Sequence, residues 1–173
     1  MKKILSIFCL AIIAVACNNA DKPAATASTD STTYPYKASY SSTFTCSDNS
    51  KNAAAVLQSY KDWEDNKLAN GTAYLADTLY WNTWTGDKLT LTRDSAIHLW
   101  QKSRDSLSSS KIDVVAWTNL HSTDKNEDWV GVWYKQTDTY KTGKVDSSFY
   151  QDDNRIKDGK INFISSKKQV LKK

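Results

Sequence analysis

The sequence predicts an α+β domain in which helices cover one face of a curved antiparallel sheet, and two observations carry that prediction. From about Asn52 to Leu107 apolar residues recur mainly at three- and four-residue steps, whereas from Ile112 onward they alternate with polar ones. Helical segments followed by a meander of strands bury their apolar sides by packing helices onto one sheet face. The chain has 173 residues, 40% of them hydrophobic, and this length fits one domain. Composition excludes a disordered or collagen-like chain.

The elements follow in order. Val56, Leu57, Tyr60, Trp63 and Leu68 place an apolar stripe on a first helix, with Ser50 as its cap. A short second helix is expected from Lys67 to Leu75, interrupted by the turn-favouring Asn70-Gly71 pair. Leu79–Trp84 reads as an aromatic strand, and Gly86-Asp87 as the turn to Lys88–Leu91. Thr92 is a good N-cap and Asp94 suits the first turn of a third helix bearing Ala96, Ile97, Trp100, Arg104 and Leu107, closed by Ser108–Ser110. Ile112–His121, Asp128–Gln136, Val145–Gln151 and Lys160–Ser166 read as strands. The last two are joined through Asp158-Gly159, a two-residue hairpin signal.

The first residues read as an address. Lys2 and Lys3 precede a nearly unbroken apolar run from Ile4 to Val15, too short to span a bilayer and followed by Ala16-Cys17 and polar Asn18. Ala14-Val15-Ala16-Cys17 resembles a bacterial lipobox, with Ala14 where Leu is commonest. The expected organisation is a lipoprotein signal peptide at 1–16, a lipid-anchored Ser/Thr-rich linker at 17–49 and a folded domain at 50–173. Between Ala24 and Ser50, 13 of 27 residues are Ser or Thr, which favours a flexible tether. Tyr34, Tyr36, Tyr40 and Phe44 are poor linker residues, so Tyr34–Phe44 is read as extended across the domain surface. Cys17 is the lipidation site, which implies palmitate or similar acyl chains and a cell-envelope location on the periplasmic or outer-membrane side. Cys46 is then left without a disulfide partner and reads as a buried or idle thiol.

Charge narrows the partners. Loss of Lys2 and Lys3 lowers the formal net charge from +4 to about +2, little support for nucleic-acid binding. Lys167, Lys168, Lys172 and Lys173 make a basic end read as a solubilising tail. Two histidines, His98 and His121, without metal-ligand spacing provide no usual zinc site, and no phosphate-cradling glycine loop is present. No metal and no cofactor is expected.

The order of elements resembles the nuclear transport factor 2-like, or SnoaL-like, superfamily. The resemblance rests on Val56–Tyr60, on Leu75-Ala76-Asp77 leading into Tyr80-Trp81, on Asp128–Trp133 and on Lys157–Ile161, and it covers roughly Ser50 to Lys173. The whole chain looks like an envelope lipoprotein of Bacteroidetes type from this superfamily. The resemblance implies a cone, a bent sheet wrapped around about three helices and open at one end into a pocket, and it implies that the other sheet face can pair a homodimer. In ketosteroid isomerases of this fold a helix-borne tyrosine donates to the developing oxyanion and a strand aspartate is the base. The resemblance puts Tyr60 at the donor position and Thr83, which cannot act as a base, at the other.

Two readings follow. The first is a non-catalytic small-molecule-binding or protein-interaction domain whose pocket, lined by Tyr60, Trp63, Tyr80, Trp100 and Trp117, takes an apolar small molecule. The second is an isomerase, cyclase or dehydratase acting on a small apolar carbonyl compound through Tyr60 and a substitute carboxylate. Asp113, Asp128, Asp146 and Asp152 lie at or near the strands; Asp113 and Asp128 are the candidates, with His121 close enough to Asp128 to form an acid–base pair. By alternation Asp113 shares a side with Val115, Trp117, Asn119 and His121. At a hairpin mouth a His–Asp pair is more often a surface contact.

Overall fold

A computed structural model describes residues 33–171, and from Lys37 onward the described residues form one compact unit. The expected signal peptide, Cys17, residues 17–32 of the expected linker and Lys172–Lys173 lie outside the described residues.

The architecture is α+β, a seven-stranded curved and unclosed sheet packed against helices. In chain order the elements are β1 (Phe44–Cys46), α1 (Ser50–Glu64), a 3-10 turn (Leu68–Ala73), β2 (Leu75–Asn82), β3 (Lys88–Thr92), α2 (Arg93–Arg104), β4 (Leu107–Ser122), β5 (Glu127–Tyr140), β6 (Val145–Lys157) and β7 (Lys160–Val170). Strand order across the sheet is β1-β4-β5-β6-β7-β2-β3. All neighbours are antiparallel except β2 and β7, which run parallel. The β2–β3 hairpin thus joins the sheet beyond the last strand of the meander.

Local chemistry explains most boundaries. Thr92 accepts a hydrogen bond from the Ser95 amide at 3.2 Å, the N-cap expected from sequence. Asp158 and Gly159 have φ of 52° and 72°, the left-handed pair a two-residue hairpin requires. Asn49 occupies the N-cap of α1 without a side-chain bond, and Ser50 is already helical. The second helical segment is a 3-10 turn, because Asp62 of α1 accepts hydrogen bonds from Gln58 at 2.9 Å and Asn70 at 3.1 Å and pins the chain close. Gly71 permits that approach: a Cβ there would lie 3.0 Å from Ile97 Cδ1. Ser108–Ser110 do not close a helix; α2 ends at Arg104, and β4 has begun by Leu107.

The core lies between the helices and the concave sheet face. Val56 of α1, Ala96 of α2, Leu75 and Leu79 of β2, Val130 and Val132 of β5 and Ile161 of β7 are fully buried. Each Val, Leu or Ile buried in this way stabilises the fold by about 1.5–3 kcal/mol. Arg104 is also buried and donates to the carbonyls of Trp63 at 2.8 Å and Glu64 at 3.0 Å, joining α2 to the end of α1. Its charge meets the negative end of the α1 dipole.

The segment preceding α1 straps the sheet edge. Phe44–Cys46 pair with Leu120–Ser122 of β4, and Ser41 donates to Asp124 at 2.5 Å. The hydroxyls of Ser41 and Ser122 hold Asp124 down at about 2, below the usual carboxylate range.

Candidate functional site

The amphipathic stripe of α1 brings Val56 into the core and carries Tyr60 and Trp63 one and two turns further along the same face. Facing them, alternate residues of three neighbouring strands point inward: Tyr134, Gln136 and Asp138 of β5, Tyr150, Asp152 and Asn154 of β6, Ile164, Ser166 and Lys168 of β7. Trp81 of β2 and Trp100 of α2 meet edge to face at a centroid distance of 5.8 Å and close one flank. The enclosed space is a cavity of about 480 Å³ with Trp84, Ser103 and Ser106 at its exposed rim.

At the cavity floor lies Asp152, 5% exposed. Its Oδ2 accepts from the Tyr134 hydroxyl at 2.9 Å and the Tyr60 hydroxyl at 3.0 Å, and its Oδ1 is buried without a well-formed hydrogen bond. Burial pushes the Asp152 carboxyl up; the hydroxyls of Ser166, Tyr134 and Tyr60 oppose that rise without cancelling it. Burial, reinforced by the adjacent Asp152 charge, pushes both Tyr60 and Tyr134 well above the usual phenol value, so they remain protonated donors. Asn154 donates to the Val130 carbonyl at 3.1 Å and reaches the Tyr60 oxygen at 3.5 Å. Tyr134 stacks on Tyr150 at 5.3 Å, which fixes its ring.

Two further polar clusters stand nearer the mouth. Trp63 Nε1 donates to Ser110 Oγ at 3.0 Å, and Ser110 donates to Asp138 at 2.5 Å. Lys168 Nζ lies 3.6 Å from Asp146, 4.9 Å from the Trp84 ring centroid and 5.4 Å from that of Tyr150. Its pKa is raised despite burial, because Tyr150 and Asp146 favour the charged form.

Of the residues singled out from sequence, Tyr60, Trp63 and Trp100 line this cavity together. Tyr80 does not: Leu79 and Trp81 take the inward positions of β2, and Tyr80, 45% exposed, borders a shallow outer groove with Arg155 and Phe163. Trp117 is 54% exposed and stays outside the cavity. Asp113 and Trp117 fall on opposite faces, contrary to simple alternation, because a bulge between Val114 and Ala116 shifts the phase of β4. Asp113 pairs in register with Lys135, remains exposed and bonds Lys111 at 2.7 Å. His121 and Asp128 do meet, at 2.8 Å across the β4–β5 hairpin mouth, with Asn52 of α1 donating to Asp128 at 3.1 Å. That trio ties helix to hairpin and lines no part of the cavity. Thr83 follows β2 in a turn whose hydroxyls bond Thr85 and Asp87.

Asp152 counts among the strand carboxylates in the sequence but not among the chosen candidates, and Tyr134, Asn154 and Lys168 are not singled out as site residues. The expected strand Val145–Gln151 stops short of Asp152, because the five polar residues from Gln151 to Arg155 read as a strand end. The available signal was Ile156, buried and in phase with Asn154, Asp152 and Tyr150.

No family model and no curated protein matches the sequence. Solved structures do match its shape. A candidate polyketide cyclase from Acidithiobacillus ferrooxidans is similar with a TM-score of 0.57 at 14% identity, covering 71% of this chain and 91% of the other. An LEH-like epoxide hydrolase from M. tuberculosis is similar with a TM-score of 0.59 at 9% identity, over 69% of this chain and 84% of the other. A nuclear transport factor 2-like protein of unknown function from Burkholderia pseudomallei gives 0.53 at 14% identity, over 70% and 91%. At these identities the likeness is one of fold, and the fold is the cone shared by nuclear transport factor 2-like and SnoaL-like proteins.

Proposed function

We propose that the cavity is an acid–base site that exchanges a proton with an oxygen-bearing small molecule, in a reaction of isomerase, cyclase or dehydratase type. The observation that carries this reading is Asp152, a buried carboxyl with a raised pKa whose Oδ2 is already held by two phenols. A proton on this carboxyl therefore sits on Oδ1, the oxygen with no well-formed bond. Because Oδ1 is shielded, that proton is passed to a substrate oxygen through the adjacent cavity-lining Ser166 hydroxyl, and the ionised carboxylate takes one back by the same route. Tyr60 and Tyr134 hold the carboxyl in place and offset its charge. Solved neighbours described as a candidate polyketide cyclase and an epoxide hydrolase are in keeping with chemistry in this fold.

The test follows deuterium uptake beside the carbonyl of cyclohexenone in D2O. Exchange accelerated by the protein and reduced about 10²–10⁴-fold by Asp152→Asn supports the reading. Exchange unchanged by that substitution overturns it. Binding without turnover is the second reading, favoured by Thr83, which supplies no base and lies in a turn bonded to Thr85 and Asp87.

We propose further that the domain is tethered to a bacterial envelope membrane through acylated Cys17, on the strength of the lipobox-like Ala14–Cys17. Cys17→Ser is expected to abolish lipid labelling and leave precursor; persistent labelling sinks the proposal. The outer sheet face, where Trp133 and Phe149 are exposed, is proposed to pair two copies, measurable as a dimer by light scattering.

A further inference from the structure

We infer that the ligand of this cavity is a neutral polyhydroxylated ring, a mono- or disaccharide, taken in preference to an apolar compound. The inference rests on the cavity being the ligand site proposed above and adds the chemical class it takes.

The cavity has two unlike walls. One, from α1, α2 and the residues around β2, presents Trp63, Trp81, Trp84, Trp100, Leu68 and Leu107. The opposite wall, from β5, β6 and β7, presents Gln136, Asp138, Asp146, Asp152, Asn154 and Lys168. Inward-facing positions repeat about 7 Å along a strand and about 4.8 Å between strands. Hydroxyls on opposite sides of a sugar ring, not neighbouring ones, can span such spacings. Such a ring has the matching duality: a C–H face that stacks on an aromatic and an edge of hydroxyls that both donate and accept.

Other classes fit less well. An apolar ligand would strip water from Asp146 and Lys168 near the mouth and return no hydrogen bonds, whereas Asp152 and Asp138 are already bonded within the protein. An anionic ligand would meet Lys168 but also Asp138, Asp146 and Asp152. An organic cation would seek an aromatic face beside a carboxylate, and Lys168 Nζ already occupies that place, 4.9 Å from the Trp84 centroid and 3.6 Å from Asp146. A neutral hydroxyl ligand can use both signs, donating to Asp146 and accepting from Lys168.

The experiment uses the full chain with maltose, cellobiose, lactose and diacetylchitobiose, read by tryptophan fluorescence, with glucuronate, benzyltrimethylammonium and progesterone as the competing classes. At least one saccharide is expected to give a saturable change below about 10 mM. Trp84→Ala and Asp146→Asn, both near the rim, are expected to weaken that binding about tenfold with unchanged circular dichroism. No saccharide response to about 10 mM overturns the inference, as does a response that neither variant alters. Binding of progesterone, glucuronate or the ammonium in place of saccharide also overturns it. Because cyclohexenone exchange is measured separately, loss of the saccharide result leaves the acid–base reading standing, and loss of the Asp152→Asn effect leaves the ligand class standing.

Discussion

Asp152 shows at the scale of one residue how a site can cost stability. Burial raises its folded pKa above the unfolded value of about 3.9, so the native state binds the proton more tightly. The stability this group contributes is fully present below the unfolded pKa and is lost as pH rises through the folded one. Asp152→Asn keeps an acceptor for Tyr60 and Tyr134 and removes the titration. The melting temperature of the variant should therefore gain on that of the wild type as pH rises from below the unfolded pKa through the folded one. A constant difference across that range would contradict the account. Tyr60 was legible in the sequence because helical period put it in phase with Val56 and Trp63. Asp152 was not, because Gln151, Asp153 and Arg155 on the other face of β6 are polar too, and a strand polar on both faces carries no periodic signal.

Among the elements, the junction of α1 and α2 depends on a single cation. Arg104 is buried without a carboxylate partner among the described residues, and its bonds go to the backbone carbonyls of Trp63 and Glu64 at the end of α1 and, at 3.5 Å, of Leu107. Arg104→Met removes those donors while filling much of the space, and is expected to lower unfolding free energy by about 3 kcal/mol. Urea denaturation measures it, and a change below about 0.5 kcal/mol would show that the carbonyls find other partners. This clamp also positions the cavity, since Trp63 supplies both a carbonyl to Arg104 and an indole to Ser110. Helix limits set by capping were readable, as Thr92 shows. The β4 bulge was not: an extra residue at Val114–Ala116 has no compositional mark, yet it decides that Asp113 and Trp117 face apart.

At the scale of the whole molecule, the helical and alternating halves of the sequence foretold the α+β class and the curved sheet. They did not foretell where the first hairpin would lie, because pairing partners far apart in sequence leave no local trace. The parallel join of β2 to β7 makes the sheet depend on its last strand, and β7 also brings Ile164, Ser166 and Lys168 to the cavity. A chain ending at Gly159 is expected to show no cooperative thermal transition, since it exposes the buried edges of both β6 and β2. A two-state melt of that fragment would show that the hairpin can dock elsewhere.

The same join sets a temporal order. Strand β2 leaves the ribosome roughly eighty residues before the strand it must lie beside, so until β7 follows its edge has no companion. The nascent chain must carry an unpaired edge until β7 emerges, and the cavity wall is completed only when Ile164, Ser166 and Lys168 arrive.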